Sequence, residues 1–191
     1  MQRLCIYCGS SAGSNERYVD AARQLARKLA EKNIGVVYGG ARVGIMGAVA
    51  DAALAGGAEV IGVIPESLTR KELMHDGLTA LHVVASMHER KAQMAELSDG
   101  FVALPGGFGT LEEIVEVITW AQLGFHRKPC GFLNVDGYFD AFFRFVDHAV
   151  GEGFIRTAHR NMIVCETSPE SLLERFANYE APDLPKWIDK I

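Results

Sequence analysis

The sequence has no run of like charge and no uninterrupted apolar stretch of the ~20 residues that a membrane helix needs. Lys and Arg total 19 against 24 Asp and Glu, a formal charge of −5, which argues against a nucleic-acid backbone or an anionic membrane as the main partner. The region that most invites a membrane reading, residues 34–65, is interrupted by Arg42, Asp51 and Glu59 and punctuated by glycines, so it reads as buried core. The first residues pass straight into a short apolar run and then Gly9, leaving no room for a signal-peptide core, and the expected location is the cytoplasm. Cysteine is scarce. Cys5 and Cys8 form a C-x-x-C pair, but a strand is predicted there, and three-residue spacing sends the two sulfurs to opposite faces. Cys130 and Cys165 stand alone and the six histidines show no H-E-x-x-H or similar spacing, so no metal site is expected.

What is present is one core's worth of apolar sequence. At 191 residues and 49% hydrophobic composition, a single domain over residues 1–180 is expected, with a tail at 181–191. Strand-like runs at 4–7, 36–38, 60–64, 80–84, 101–104, 130–135 and 162–165 alternate with helix-period segments at 15–32, 45–55, 87–98, 110–123, 138–152 and 169–179. Ser14 is the expected N-cap of the first helix, and Ser168 with Pro169 that of the last. Residues 66–79 read as a long loop with at most one helical turn. The alternation predicts an α/β fold: a Rossmann-like doubly wound domain whose mostly parallel sheet of about seven strands carries helices on both faces. Ligands then bind outside the carboxyl ends of the strands.

Three glycine-bearing loops, 8–13, 39–47 and 105–110, follow predicted strands and should gather at that edge. In the third, Gly106, Gly107 and Gly109 let the backbone approach a ligand, and Thr110 opens a helix whose unpaired N–H groups and dipole favour an anion such as phosphate. A dinucleotide fingerprint is missing, because the first loop reads G-S-S-A-G and the second strand ends at Tyr38 without an acidic residue. No G-x-x-x-x-G-K-[ST] sequence occurs either. A mononucleotide or sugar phosphate fits what remains.

Beside the third loop stand Glu112, Glu113 and Glu116, with Thr119 on the same helical stripe. Thr110 and Glu113 make a T-x-x-E capping box, so Glu113 is either a cap or a catalytic carboxylate. The helix after Ser86 carries His88, Glu89, Arg90 and Lys91 near its start, where cations oppose the dipole. Either a carboxylate or anion lies nearby, or Lys91 belongs to a solvated charged face. The planar fork of Arg90 suits phosphate or carboxylate better.

The stretch P-G-G-F-G-T-L-E-E at residues 105–113, together with Cys8 to Ser11, the loop 39–47 and the run Met87, His88, Glu89, Arg90, Lys91, resembles the LOG family. Its members are cytokinin riboside 5′-monophosphate phosphoribohydrolases long mislabelled as lysine decarboxylases. The resemblance implies cofactor-free hydrolysis of the N-glycosidic bond of an adenosine 5′-monophosphate, often prenylated at N6, to free base and ribose 5-phosphate. By motif position it implies Arg90 and Glu113 as the catalytic pair. It places the substrate against Gly106, Gly107, Phe108, Gly109, Thr110, Leu111 and Glu112, with Ser10, Gly40, Glu72, Met87, Lys91 and Thr119 completing the site. A homodimer with sites near its interface is implied as well. Two other functions compete: a non-catalytic nucleotide carrier in which Glu113 only caps its helix, and a decarboxylase, which requires a pyridoxal-phosphate lysine that the sequence does not persuasively offer.

Overall fold

A computed structural model of the chain describes residues 1–69 and 74–182. Seven strands form one sheet: β1 (Arg3–Tyr7), β2 (Gly35–Tyr38), β3 (Val60–Pro65), β4 (Ala80–Val84), β5 (Gly100–Ala103), β6 (Cys130–Leu133) and β7 (Ile163–Glu166). Their order is β4-β3-β2-β1-β5-β6-β7 and every neighbouring pair is parallel. Parallel pairing forces crossovers, which are supplied by α1 (Glu16–Glu31), α2 (Gly44–Ala55), α3 (Glu66–Thr69), α4 (Met87–Glu96), α5 (Phe108–Gln122), α6 (Asp140–Gly151) and α7 (Thr157–Arg160), with α8 (Pro169–Ala177) following the last strand. The chain winds outward from β1 to β4, then returns beside β1 as β5 and winds the other way. The crevice at β1 and β5 is therefore the switch point where such sheets bind ligands.

Side-chain alternation along each strand divides the core into two layers. Leu4, Ile6 and Cys8 pack with Val36 and Tyr38 against Leu25 and Leu29 of α1, Val49 and Ala53 of α2, and Leu172 and Phe176 of α8. Cys5, Tyr7 and Val37 point the other way, toward Met94 of α4, Ile114 and Val117 of α5, and Phe143 of α6. Cys5 and Cys8 thus lie in different layers, and burial pushes the Cys5 thiol up to about 12 and the Cys8 thiol up as well. Neither behaves as a thiolate nucleophile.

Several boundaries differ from the sequence expectation, each for a local reason. The α1 cap is Asn15, not Ser14: its extended backbone lets Oδ1 accept from Arg17 N at 3.0 Å. The helix expected over 138–152 is α6, which starts two residues later at Asp140 because a 3-10 turn over Val135–Gly137, with Asp136 (φ +50°) and Gly137 (φ +72°) left-handed, precedes it. Asn134 staples that turn by accepting from Phe139 N and donating to Asp140, both at 2.8 Å. The four-residue α7 is too short to show a period and was not expected. The segment 66–69 is the single helical turn expected at the start of the long loop.

Candidate active site

The three glycine loops meet at the carboxyl edge of β1, β2 and β5. Gly9 N donates to Pro105 O at 3.1 Å, and Gly9 O accepts from Ile45 N and Met46 N at 3.1 and 3.3 Å, so the first loop ties the third to the start of α2. A Cβ on Gly44 (φ +59°) would overlap the Ser10 backbone, and one on Gly39 would overlap Met46 and the guanidinium of Arg90. Glycine at 39 lets Arg90 reach the sheet edge, and glycine at 44 lets the first loop lie against the start of α2.

Arg90 is 7% exposed, as is Glu113. The α4 helix that carries Arg90 is set by its cap: Ser86 Oγ accepts from Glu89 N at 3.2 Å and the Glu89 carboxylate accepts from Ala85 N at 2.9 Å. Arg90 then donates through Nε to Val63 O of β3 at 3.1 Å and through Nη1 to Glu113 Oε1 at 2.6 Å. Burial lifts the Glu113 carboxyl above the usual carboxylate range, with the Arg90 guanidinium opposing the shift. Desolvating two charges gains little stability, so a buried ion pair at a ligand-binding edge marks function more readily than structure. The contact with Arg90 engages Oε1 of the Glu113 carboxylate.

The capping alternative for Glu113 is overturned. Helix α5 begins at Phe108 with Gly107 as its cap, two residues earlier than expected, so Thr110 lies inside the first turn and Glu113 beyond it. Gly107 O accepts from Leu111 N at 3.2 Å, which starts the helix, and the glycine at 109 lies in the first turn, outside the helix interior where its propensity penalty applies. Lys91 is not on a solvated face either. Its side chain is 12% exposed and donates to Glu112 at 2.6 Å and Glu116 at 3.0 Å, and the hydrogen bond to Glu112 leads the causes that raise its pKa. The two adjacent cations of α4 are therefore answered by the acidic stripe of α5.

The remaining expected residues occupy different surroundings. Gly106, Gly107, Phe108 and Gly109 form the rim, with Phe108 93% exposed, while Thr110 is buried against Gly106 and Leu111 packs toward the α4–α6 layer. Ser10 is exposed and, with Ser11, Gly106 and Gly107, lines a cavity of about 290 Å³. Met87, at the first turn of α4, is exposed. Gly40 (φ +78°) has its carbonyl taken by His75 N at 3.0 Å, a structural task, and His75 Nε2 in turn meets Asp51 Oδ1 at 3.0 Å. Thr119 is exposed, six residues past Glu113 and so ~9 Å further along α5, and its hydroxyl donates to Val115 O of its own helix at 2.8 Å. Within one chain it is not brought to the Arg90–Glu113 pair. Glu72 lies outside the described residues. Two participants went unnoticed in the sequence: Val63, which acts through its carbonyl, and Tyr138, whose hydroxyl reaches Gly106 O at 2.7 Å from the segment after the neighbouring strand β6. Backbone acceptors leave no trace in a sequence. A larger cleft of about 770 Å³ between α1 and α2 mixes Arg23 and Arg42 with Glu16, Asp20 and Asp51 and touches neither Arg90 nor Glu113.

Residues 46–176 match the family described as possible lysine decarboxylase. A probable cytokinin riboside 5′-monophosphate phosphoribohydrolase of Oryza sativa subsp. japonica is 49% identical over 190 residues, covering 100% of this chain and 78% of that protein. A cytokinin riboside 5′-monophosphate phosphoribohydrolase of Arabidopsis thaliana is 50% identical over 190 residues, covering 100% of this chain and 87% of that one. Among solved structures, the molybdenum cofactor binding protein from the phototrophic bacterium Rippkaea orientalis superposes with a TM-score of 0.69 at 22% identity, over 90% of this chain and 93% of that chain. A Moco carrier protein from Chlamydomonas reinhardtii does so with 0.68 at 18% identity, over 92% and 96%. At these identities the likeness is one of fold.

Proposed function

The chain belongs to the LOG family of phosphoribohydrolases, and from that premise we propose that it hydrolyses the N-glycosidic bond of an adenosine 5′-monophosphate, releasing free base and ribose 5-phosphate. The cytokinin-activating form of the reaction uses an N6-substituted base, and unsubstituted adenosine 5′-monophosphate is a second substrate of the same site. One observation carries the proposal: a buried Arg90–Glu113 pair beside a glycine-rich helix start. The 5′-phosphate sits on the N–H groups of Gly107, Phe108, Gly109 and Thr110, where the dipole of α5 favours it. This anchor orients the ribose so that C1′ faces Glu113. Positive charge builds on the sugar as the base departs, and the carboxylate stabilises it while water adds to C1′. Arg90, fixed by Val63 O, holds Glu113 in place. Lys91, Glu112, Thr119 and Met87 bound the nucleotide side of the site, with Ser10 on the phosphate side.

Lys91 is ill suited to a decarboxylase. A Schiff-base lysine needs a lowered pKa, and its two carboxylate partners raise this one. A homodimer formed across the exposed faces of α4 and α5, where Met87, Val115 and Leu123 are uncovered, brings Thr119 of one copy toward the site of another. The balance of charge and the scarcity of cysteine suit the cytoplasm.

Purified protein incubated with adenosine 5′-monophosphate and its N6-prenylated analogue should release free base detectable by chromatography. Glu113→Gln, which keeps size and hydrogen bonding, should lower the rate at least ~100-fold. Equal rates for the two proteins would refute the catalytic assignment.

A further inference from the structure

The phosphate loop is built so that its carbonyls are occupied. Pro105 O accepts from Gly9 N at 3.1 Å, Gly106 O accepts from Tyr138 Oη at 2.7 Å, and Gly107 O accepts from Leu111 N at 3.2 Å. Three successive acceptors are thus engaged by three different parts of the fold, and the loop shows an anion its N–H groups only. Two of the three donors are backbone amides fixed by the β1 loop and by α5. The third is a side chain.

That side chain acts at the weakest point of the loop. Both sides of the 106–107 peptide are glycines, so nothing in their own sterics prevents that peptide from rotating. In a trans peptide the C=O and N–H point in opposite directions. Rotation would put the Gly106 carbonyl where the Gly107 N–H had been and would set a negative dipole against the phosphate. Tyr138 is itself well placed to resist this. Its ring stands edge-on to Tyr18 at 5.3 Å and to Phe139 at 4.9 Å, and it follows the 3-10 turn stapled by Asn134. It also closes the cavity shared with Ser10, Ser11, Gly106 and Gly107.

We propose that Tyr138 is a positioning residue of the phosphate site, holding the Gly106–Gly107 peptide with its carbonyl turned onto the phenol and its N–H free for the ligand. The proposal rests on the phosphate-anchored reading above. It predicts discrimination in favour of phosphate-bearing ligands by a residue that touches neither the base nor C1′.

The test is Tyr138→Phe, which removes one oxygen and keeps the ring contacts. The KM for adenosine 5′-monophosphate and the Kd for ribose 5-phosphate, measured by titration calorimetry, should each rise about threefold to tenfold, the loss expected for one hydrogen bond. The kcat should stay within about twofold and the melting temperature within a degree or two of wild type. Unchanged KM and Kd would overturn the role of Tyr138. So would a fall in kcat and melting temperature together with no change in Kd, because that pattern belongs to a merely structural contact. A wild-type protein that neither binds ribose 5-phosphate nor releases base would remove the phosphate-site reading and this inference with it, and is distinguishable because the failure precedes any substitution.

Discussion

At the scale of single residues, the ionisation of Glu113 is set by two opposed influences. Burial against the sheet edge disfavours its charge, and the guanidinium 2.6 Å away favours it, with burial prevailing. If the ionised carboxylate stabilises the sugar cation, activity requires deprotonation. The acid limb of kcat should then fall at a pH above the usual carboxylate range, and Arg90→Gln, which removes the favouring charge, should move that limb further up while lowering kcat. A pH–rate series on both proteins checks this, and a limb that does not move with Arg90 would separate it from Glu113. The existence of this pair was half visible in the sequence. Two cations near the start of a helix oppose its dipole, which suggested a nearby anion or carboxylate but left a solvated charged face open for Lys91. The resemblance paired Arg90 with Glu113, but charge pattern alone could not say which cation meets which carboxylate, because that depends on how α4 and α5 pack side by side on one face of the sheet. Arg90 takes Glu113, and Lys91 spans Glu112 and Glu116. Tyr38 shows the opposite case: its buried hydroxyl has no partner among the described residues, and we have no physical account of it.

Among elements, the turn from β5 into α5 carries the proposed phosphate anchor. A Cβ on Gly106 would overlap Thr110 Oγ1 and stand 2.7 Å from Gly9 N, whereas one on Gly109 meets nothing within 4 Å. Gly106→Ala should therefore displace the loop, costing about 1–3 kcal/mol of stability by thermal denaturation and raising KM for the monophosphate at least ~10-fold. Gly109→Ala should leave the fold as stable or slightly more so, since it lowers unfolded-state entropy without a clash. The loop's chemistry was legible from P-G-G-F-G-T, but the helix start was misplaced at Thr110. Glycine's low helix propensity pointed to a loop through Gly109, but that penalty belongs to helix interiors and Gly109 lies in the first turn. That misplacement is what made Glu113 look like a cap. The 3-10 turn before α6 carried a turn signal in Asp136-Gly137, both left-handed in the structure, and Asp136 also pairs with Arg17 at 2.9 Å.

In the whole molecule, the parallel sheet converts sequence order into convergence. Alternating strands and helices leave β1, β2 and β5 adjacent to one another, with all three following loops at the same edge, and the shared edge followed from periodicity alone. The separation of Cys5 from Cys8 followed as well, from strand alternation, whereas the order of the strands across the sheet was visible only in the structure. Exposed Met87, Val115 and Leu123 are individually ordinary in a sequence and become one surface only when α4 and α5 are placed side by side. The central claim concerns the molecule as a unit: phosphate binding at one loop supplies orientation for bond cleavage at a carboxylate carried further along the same helix. The most direct measurement is the ratio of kcat/KM for adenosine 5′-monophosphate to that for adenosine on the wild-type protein. A few charge-assisted hydrogen bonds to the phosphate predict a ratio of at least about 100. Equal values for the two substrates would contradict the account.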